Sequence, residues 1–368
     1  MKKRLFHCCL GISIALVAVL LLPNQGRTQK AAGNKGKVSK PAAKAATIAP
    51  LTESRIVGDV TAAVDRALVY LSSKQRPNGS WDDNQAPNAL AILSFLGRGH
   101  VPRRGPYRDI VEKAKNQLLR SQNDKGLFVS KRKAGSGPMY TQGLCTLANA
   151  ELYGMDPDPK VEQCLRRAVD LIVRSQSPSG GWRYQPRPGQ QDVSVTVMQV
   201  VALRAANNAE VPIPEKTFQK AIAYVKSCAD PKGGFGYNGR SRKTAMTAAG
   251  ILSLQLAGDY NDPALPKALD YLGSLPVKWS AAGGIGYYYY FHYYAMQAQY
   301  QAGGKRWNEW HPRVRELFLS KQNADGSWDI PPGSSEKAGT VGINKVYWTS
   351  MATLVLEVYM HFLPAYQR

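Results

Sequence analysis

Few residues in this chain could carry chemistry, and they fall into four groups. Two adjacent carboxyls, Asp82 and Asp83, and a third, Asp192, stand just ahead of apolar helical stretches. A histidine, His292, sits in an aromatic run that begins Tyr287-Tyr288-Tyr289-Tyr290. The basic stretch Arg240-Ser241-Arg242-Lys243 lies between them. Two carboxyls about 5 to 10 Å apart across a glycosidic bond can hydrolyse it, so Asp83 with Asp192 is one pair to place. A carboxyl or imidazole with a shifted pKa can serve as general acid or base, which makes Asp83, Asp192 and His292 the catalytic candidates. Each has a structural alternative: aspartates cap helix starts, a histidine among tyrosines packs and hydrogen-bonds, and a basic run is usually a solvated face. No CxxC or Cys/His spacing suits a metal, and no cofactor motif is visible. Cys145, Cys164 and Cys228 read as buried, reduced small hydrophobes.

The elements that would position these groups are written in a repeat. Gln75-x-x-x-Gly79-x-Trp81, Gln122-x-x-x-Gly126-x-Phe128, Gln176-x-x-x-Gly180-x-Trp182 and Gln322-x-x-x-Gly326-x-Trp328 share one spacing. Weaker copies end at Phe235 and Tyr287. From Trp81 to Trp328 the six aromatics lie 47, 54, 53, 52 and 41 residues apart. A period near fifty residues means stacked supersecondary units. Around each signature an amphipathic helix comes first and a more apolar one second. In the first unit Val60, Val64, Ala67, Leu68 and Leu71 form one stripe, and 86–96 has little polar face. The other pairs are 107–122 with 139–154, 160–177 with 192–208, 214–228 with 241–258, 262–274 with 287–303, and 311–322 with 341–361. The expected fold is all-α, an (α/α)6 barrel with the apolar helices inside, closed into a ring in preference to an open solenoid. In the signature, glycine supplies a positive-φ turn, the Gln amide bonds groups left free at a neighbouring helix end, and the aromatic covers the turn.

Before the repeats, residues 1–52 hold nine Lys or Arg and no acid. Lys2-Lys3-Arg4 ahead of an apolar run from Cys8 to Leu22 gives 1–22 as a signal peptide or N-terminal membrane anchor. Residues 23–54 read as a disordered basic linker, and 55–368 as the repeat domain. Export to an extracytoplasmic location, secreted or anchored, is the expectation. Removing the +9 of residues 1–52 from the formal +22 leaves +13, which suits an anionic partner such as a membrane surface. Nucleic acid is not expected, because no binding motif is visible.

The four full signatures resemble the QW-motif repeats of the terpenoid cyclase and protein prenyltransferase superfamily. The likeness covers about residues 55–368, and the overall pattern is similar to exported prenyltransferase and squalene oxidase repeat proteins. The resemblance implies an α/α toroid with six inner and six outer helices around a cavity that often binds lipid. It also implies where chemistry would lie. Squalene–hopene cyclases use the middle acid of an Asp-x-Asp-Asp-Thr motif to protonate an alkene. Asp192-Val193-Ser194-Val195-Thr196 matches its ends, but Ser194 stands where the acid should be. Protein prenyltransferases hold zinc on an Asp-x-Cys pair, which the segment 240–246 lacks.

If the ring closes, the loops entering the inner helices converge on one mouth. Its ligand-binding candidates are Asp82, Tyr140, Gln142, Ser194, Arg240, Arg242, Tyr288, Tyr290 and Tyr347. A basic, aromatic-walled pocket suits an isoprenoid or another amphiphile. The expectation is a binding toroid without the usual cyclase acid or zinc site. The alternatives are a cyclase or transferase with a displaced acid, and a carbohydrate-active barrel.

Overall fold

Each signature joins two helices, and among the described residues twelve helices follow one another in the order the repeats dictate. In the computed structural model, residues 53–132, 137–340, 342–358 and 360 are described. The proposed leader and nearly all of the linker lie outside them. The odd-numbered helices are α1 (Glu53–Lys74), α3 (Arg108–Arg120), α5 (Pro159–Arg174), α7 (Glu215–Ser227), α9 (Ala264–Ser274) and α11 (Gly304–Ser320). The even-numbered ones are α2 (Gln85–Gly97), α4 (Met139–Met155), α6 (Val193–Asn208), α8 (Thr244–Leu256), α10 (Tyr288–Ala302) and α12 (Lys345–Glu357).

The even helices form the inner ring. Every residue of α8 is buried, as is nearly every residue of α2. In the odd helices a stripe is buried, such as Val161, Cys164, Leu165, Ala168 and Ile172 of α5. Around the inner ring, α2 packs on α4, then α4 on α6, α6 on α8, α8 on α10, α10 on α12, and α12 returns to α2. The outer helices sit in the grooves between inner neighbours, and α1 meets both α11 and α12. The ring is therefore closed, an α/α toroid as the repeat implies.

The signature welds one unit to the next. Nε2 of Gln75, Gln122, Gln176 and Gln322 donates to the carbonyl of its own glycine and to a second carbonyl in the next outer helix. Those second acceptors are Ile110 (2.9 Å), Cys164 (2.9 Å), Thr217 (2.9 Å) and, closing the ring, Ala63 (2.8 Å). Ile110 and Thr217 lie in the first turn of α3 and α7, whereas Cys164 and Ala63 lie inside α5 and α1, away from the helix end the sequence suggested. Each glycine is pressed against the same neighbour three residues further on. A Cβ on Gly79, Gly126, Gly180 or Gly326 would stand 2.0–2.3 Å from the carbonyl oxygen of Lys113, Arg167, Lys220 or Arg66, and φ is positive at all four. Trp81, Trp182 and Trp328 donate Nε1–H to carbonyls ten residues back, those of Leu71, Ile172 and Phe318. These carbonyls lie in the last turn of the outer helix, where the amide four residues on bonds elsewhere.

Two boundaries and one marker residue differ from the sequence reading. α11 begins at Gly304 and carries Pro312 inside it, although a proline is expected at the first helical turn. Burial of Trp310, Val314 and Phe318 on one stripe offsets the hydrogen bond that Pro312 cannot donate. α1 starts at Glu53, so the last two residues assigned to the linker are helical. Tyr287, taken as the fifth aromatic marker, is 54% exposed, so the fifth unit has no signature aromatic at that position. Among the described residues no helix is long and apolar enough to cross a membrane. Cys145, Cys164 and Cys228 are buried and free.

Candidate functional site

The direction each inner helix faces follows from a contact that recurs. The backbone N–H of the signature aromatic, or its counterpart, donates to a side chain in the first turn of the following inner helix. The acceptors are Asn88, Gln142, Thr196, Thr247 and Thr349. These side chains point outward, toward the turn. Two residues earlier is 200° around the helix, so Ala86, Tyr140, Ser194, Ala245 and Tyr347 face the lumen, and by the same register Tyr290 does on α10. One turn deeper the lumen-facing positions are Leu90, Leu144, Met198, Ala249, Tyr294 and Met351. The inward positions are thus three tyrosines with Ala86, Ser194 and Ala245 at the mouth, and aliphatic or thioether side chains with Tyr294 below. Leu144 and Met351 keep 6% and 4% exposure, and Met198 is only partly buried.

Two candidates are reassigned by this register. Gln142 is fully buried, and its amide accepts from Phe128 N and donates to the Gly126 carbonyl, so it braces the second signature. His292 occupies the same outward position in the fifth unit, where no signature aromatic offers its N–H. Neither ring nitrogen has a partner among the described residues. The imidazole packs against Tyr288, Phe291 and Phe318 at 4.4, 4.8 and 5.4 Å between centroids. Burial pushes its pKa down to about 3. It is a neutral core residue between α10 and α11, outside the lumen. Tyr288 belongs with it: its ring lies on Trp279 and its hydroxyl donates to the Lys278 carbonyl. Arg242 is also turned outward, over the Tyr271 ring of α9 at 4.5 Å.

At the mouth a polar network spans the ring. Asp192, fully buried, is the N-cap of α6: Oδ1 accepts from Val195 N at 2.9 Å and from Ser194 Oγ at 2.6 Å, and Oδ2 accepts from Tyr237 OH at 3.0 Å. Arg183 lies 3.6 Å from Oδ2, and the Tyr184 hydroxyl bonds that of Tyr237. Burial raises the Asp192 pKa, and the hydrogen bonds from Ser194, Val195 and Tyr237 hold part of that rise back. Ser194 Oγ also meets Tyr140 OH at 2.6 Å, and Tyr290 OH donates to the Ser194 carbonyl at 3.2 Å. That last bond joins α10 to α6 across the face of α8. The Tyr294 hydroxyl, one turn below Tyr290, makes no hydrogen bond among the described residues, and Tyr290 and Tyr294 rings pack 4.6 Å apart.

A carboxylate not singled out from sequence completes the mouth. Glu336, buried in the loop before α12, accepts from the amides of Tyr289 and Tyr290, capping α10, and from the hydroxyls of Tyr347 and Ser334. Burial raises its pKa, against those four donors. The remaining acids do structural work: Asp82 accepts from Asn84 N and Asn344 Nδ2, tying the first repeat to the sixth, while Asp83 is exposed and ion-paired with Arg76 at 2.9 Å. Arg240 is exposed, just ahead of α8. Beside the lumen, a cavity of about 340 Å³ lies among the loops of the first three repeats, bounded by Asn84, Phe128, Thr141, Gln185 and Pro186. Among the described residues no cluster of His, Cys, Asp or Glu could hold a metal ion.

No family model matches the chain. It is 29% identical over 206 residues to a drimenyl diphosphate synthase of Streptomyces showdoensis, 52% of this chain and 36% of that protein. It is 28% identical over 127 residues to a squalene–hopene cyclase of Zymomonas mobilis, 31% of this chain and 18% of that one. The chain thus matches about a third or less of the length of these curated relatives. Among solved structures, the type II terpene cyclase MstE from Scytonema, in complex with merosterolic acid A, covers 83% of the chain and 98% of its own at TM-score 0.57 and 12% identity. An inactive α-1,6-mannanase from Salegentibacter, in complex with α-1,6-mannotriose, covers 81% and 98% at TM-score 0.58 and 11% identity. At such identities both share the fold.

Proposed function

We propose that this chain, which belongs to the terpenoid cyclase-like α/α toroid superfamily, binds the apolar chain of an isoprenoid-type amphiphile in its lumen and does not cyclise it by protonation. One observation carries the reading: at the lumen-facing mouth position of α6 stands Ser194, a hydroxyl held between Asp192 and Tyr140. A hydroxyl cannot protonate an alkene. Asp192 could supply an acid only by giving up a buried network in which both oxygens are engaged. The lumen below suits an apolar chain, with Leu90, Leu144, Met198, Met351 and the tyrosine faces offering dispersion contact and no buried charge to desolvate. The cyclases among its relatives and structural neighbours are named for terpenoid substrates or products, which supports an isoprenoid over other amphiphiles.

A glycosidase reading draws on the mannanase likeness and on the adjacent Asp82 and Asp83. It is not favoured, because Asp83 faces Arg76, Asp82 is held by Asn84 and Asn344, and Asp192 is enclosed. Two carboxyls facing one bond are not assembled from these three.

The test is a titration of the full chain with a fifteen-carbon isoprenoid alcohol, followed by product analysis. Saturable binding at micromolar concentration, abolished in Met198→Trp, with the alcohol recovered unchanged, is the expected result. No binding removes the lumen reading. Recovery of a cyclised product removes the non-catalytic one.

A further inference from the structure

The cavity of about 340 Å³ among the loops of the first three repeats has no part in the lumen reading. It is built into the joints of the ring. Asn84 Nδ2 donates to the Arg132 carbonyl and Gln85 N to Ser130 Oγ, tying the first repeat to the second. Met139 N donates to the Tyr184 carbonyl, tying the second to the third. That approach is close: a Cβ on Gly137, where φ is +84°, would stand 2.6 Å from the Tyr184 carbonyl oxygen. The walls are therefore fixed by the fold, as in a preformed ligand pocket.

The chemistry of the wall is uncharged and two-sided. Among the described residues no ionisable side chain lines the cavity, although the chain as a whole is strongly basic. Leu127, Val129, Pro138 and Pro186 supply apolar surface, and Asn84, Ser130, Thr141 and Gln185 supply hydrogen-bonding groups. Three of those groups are under-used. In the inner helices Thr146, Thr196, Thr247 and Thr353 each give their hydroxyl to the carbonyl four residues back. Thr141, 4% exposed in the first turn of α4, gives its hydroxyl to no described residue. Asn84 Nδ2 makes only the long 3.4 Å bond to Arg132. Ser130 Oγ accepts from Gln85 N at 3.0 Å, which leaves its own proton without an acceptor. A buried hydroxyl with no partner is costly, and a ligand that bonds it removes the cost.

A wall that sets apolar surface beside neutral donors and acceptors matches a sugar ring, whose faces are C–H and whose edge is hydroxyl. The size agrees: at about 30 Å³ per water-sized atom, 340 Å³ has room for roughly eleven, about one hexose.

We infer that this cavity binds one neutral sugar ring through Asn84, Ser130, Thr141 and Gln185. It is a binding site and not the hydrolytic arrangement set aside above, since no carboxyl among the described residues lines it. It uses none of the residues that face the lumen, so the two readings fail separately. The experiment titrates the full chain with the methyl glycosides of glucose, mannose and galactose, with a uronic acid and an amino sugar of the same size, and with a fifteen-carbon isoprenoid glucoside. Calorimetry and ligand-detected NMR read the binding. The expected result is saturable binding of at least one methyl glycoside with a Kd of about 1 mM, as three or four neutral hydrogen bonds give. The charged sugars bind at least about tenfold more weakly, because the wall offers an ionised group no counter-charge. Thr141→Val weakens binding about tenfold, the loss of one hydrogen bond, and leaves Tm unchanged, because that hydroxyl has no partner in the protein. Gln185→Trp, at an exposed position, blocks the cavity and abolishes binding. No binding of any methyl glycoside overturns the inference, as does binding that both variants leave intact. Charged sugars bound as tightly as neutral ones overturn it too, assigning the contact to the protein surface. An isoprenoid glucoside bound more tightly than the methyl glycoside supports the site as the pocket for a lipid-borne sugar, and equal affinity supports it as a site for a free sugar or a glycan end.

Discussion

In a closed ring the joint between the last unit and the first should matter as much as any internal joint, and Gln322→Ala tests this. In the structure Gln322 Nε2 donates to the carbonyls of Ala63 and Gly326 at 2.8 and 3.0 Å, and Arg66 donates to its Oε1. Each hydrogen bond contributes about 1 kcal/mol net, and the partly exposed Arg66 contact less than that. The loss is therefore about 2–3 kcal/mol. For a domain of this size that corresponds to a fall in Tm of roughly 3–5 °C. Gln176 makes the equivalent pair to Thr217 and Gly180 inside the ring, so Gln176→Ala is the calibrating variant and should fall by a similar amount. Gly326→Ala should fall further, because its Cβ would stand 2.3 Å from the Arg66 carbonyl oxygen and φ is +85°. Thermal unfolding by circular dichroism at fixed protein concentration reads all three. If Gln322→Ala unfolds within 1 °C of the parent while Gln176→Ala drops, the sixth unit is not welded to the first and the closed ring is wrong.

Further predictions concern buried titratable groups and the mouth. His292 is held neutral with a lowered pKa, so the native state binds a proton less readily than the unfolded chain. Stability is lost as pH falls below about 6.5, at up to roughly 1.4 kcal/mol per pH unit. His292→Phe should flatten that acid limb, and parallel denaturation curves at pH 7 and pH 5 for parent and variant would contradict it. Glu357 has its pKa raised well above the usual carboxyl value by burial, and neither oxygen has a partner among the described residues. Its contribution is present at low pH and lost as pH rises through the raised pKa, so Glu357→Gln should gain on the parent from pH 4 to pH 8. An unchanging difference over that range would refute it. Gly97→Ala should destabilise by about 1–3 kcal/mol, since a Cβ there would stand 2.2 Å from a Glu357 carboxyl oxygen. A urea midpoint equal to the parent's would refute that.

Much of the architecture was legible because repetition made it so. A Gln, a glycine and an aromatic at fixed spacing mark every helix turn they occupy, and the alternation of amphipathic and apolar helices sorts outer from inner. The fifth unit was harder to read. Its loop has glycines but no Gln, and an exposed Tyr287 stood in for an aromatic that is not there. The mouth was legible only in part, since sequence places residues at the start of an inner helix but not on a face of it. Tyr290 and Tyr140 look inward while His292 and Gln142, two residues further along the same helices, look outward. Knowing that Asn88, Thr196, Thr247 and Thr349 receive the aromatic N–H would have settled His292, and the four-residue step from Tyr290 would have found Tyr294. Glu336 had no such signal. It lies in a long loop, and its role comes from meeting α10, which is adjacent in space and remote in sequence.

The most direct test of the lumen as a ligand site is native mass spectrometry of the full chain after gentle purification, beside Met198→Trp. The account predicts an adduct of one amphiphile per chain in the parent, extractable into organic solvent, and its loss in the variant. A parent that flies bare and takes up no isoprenoid when offered one would contradict it.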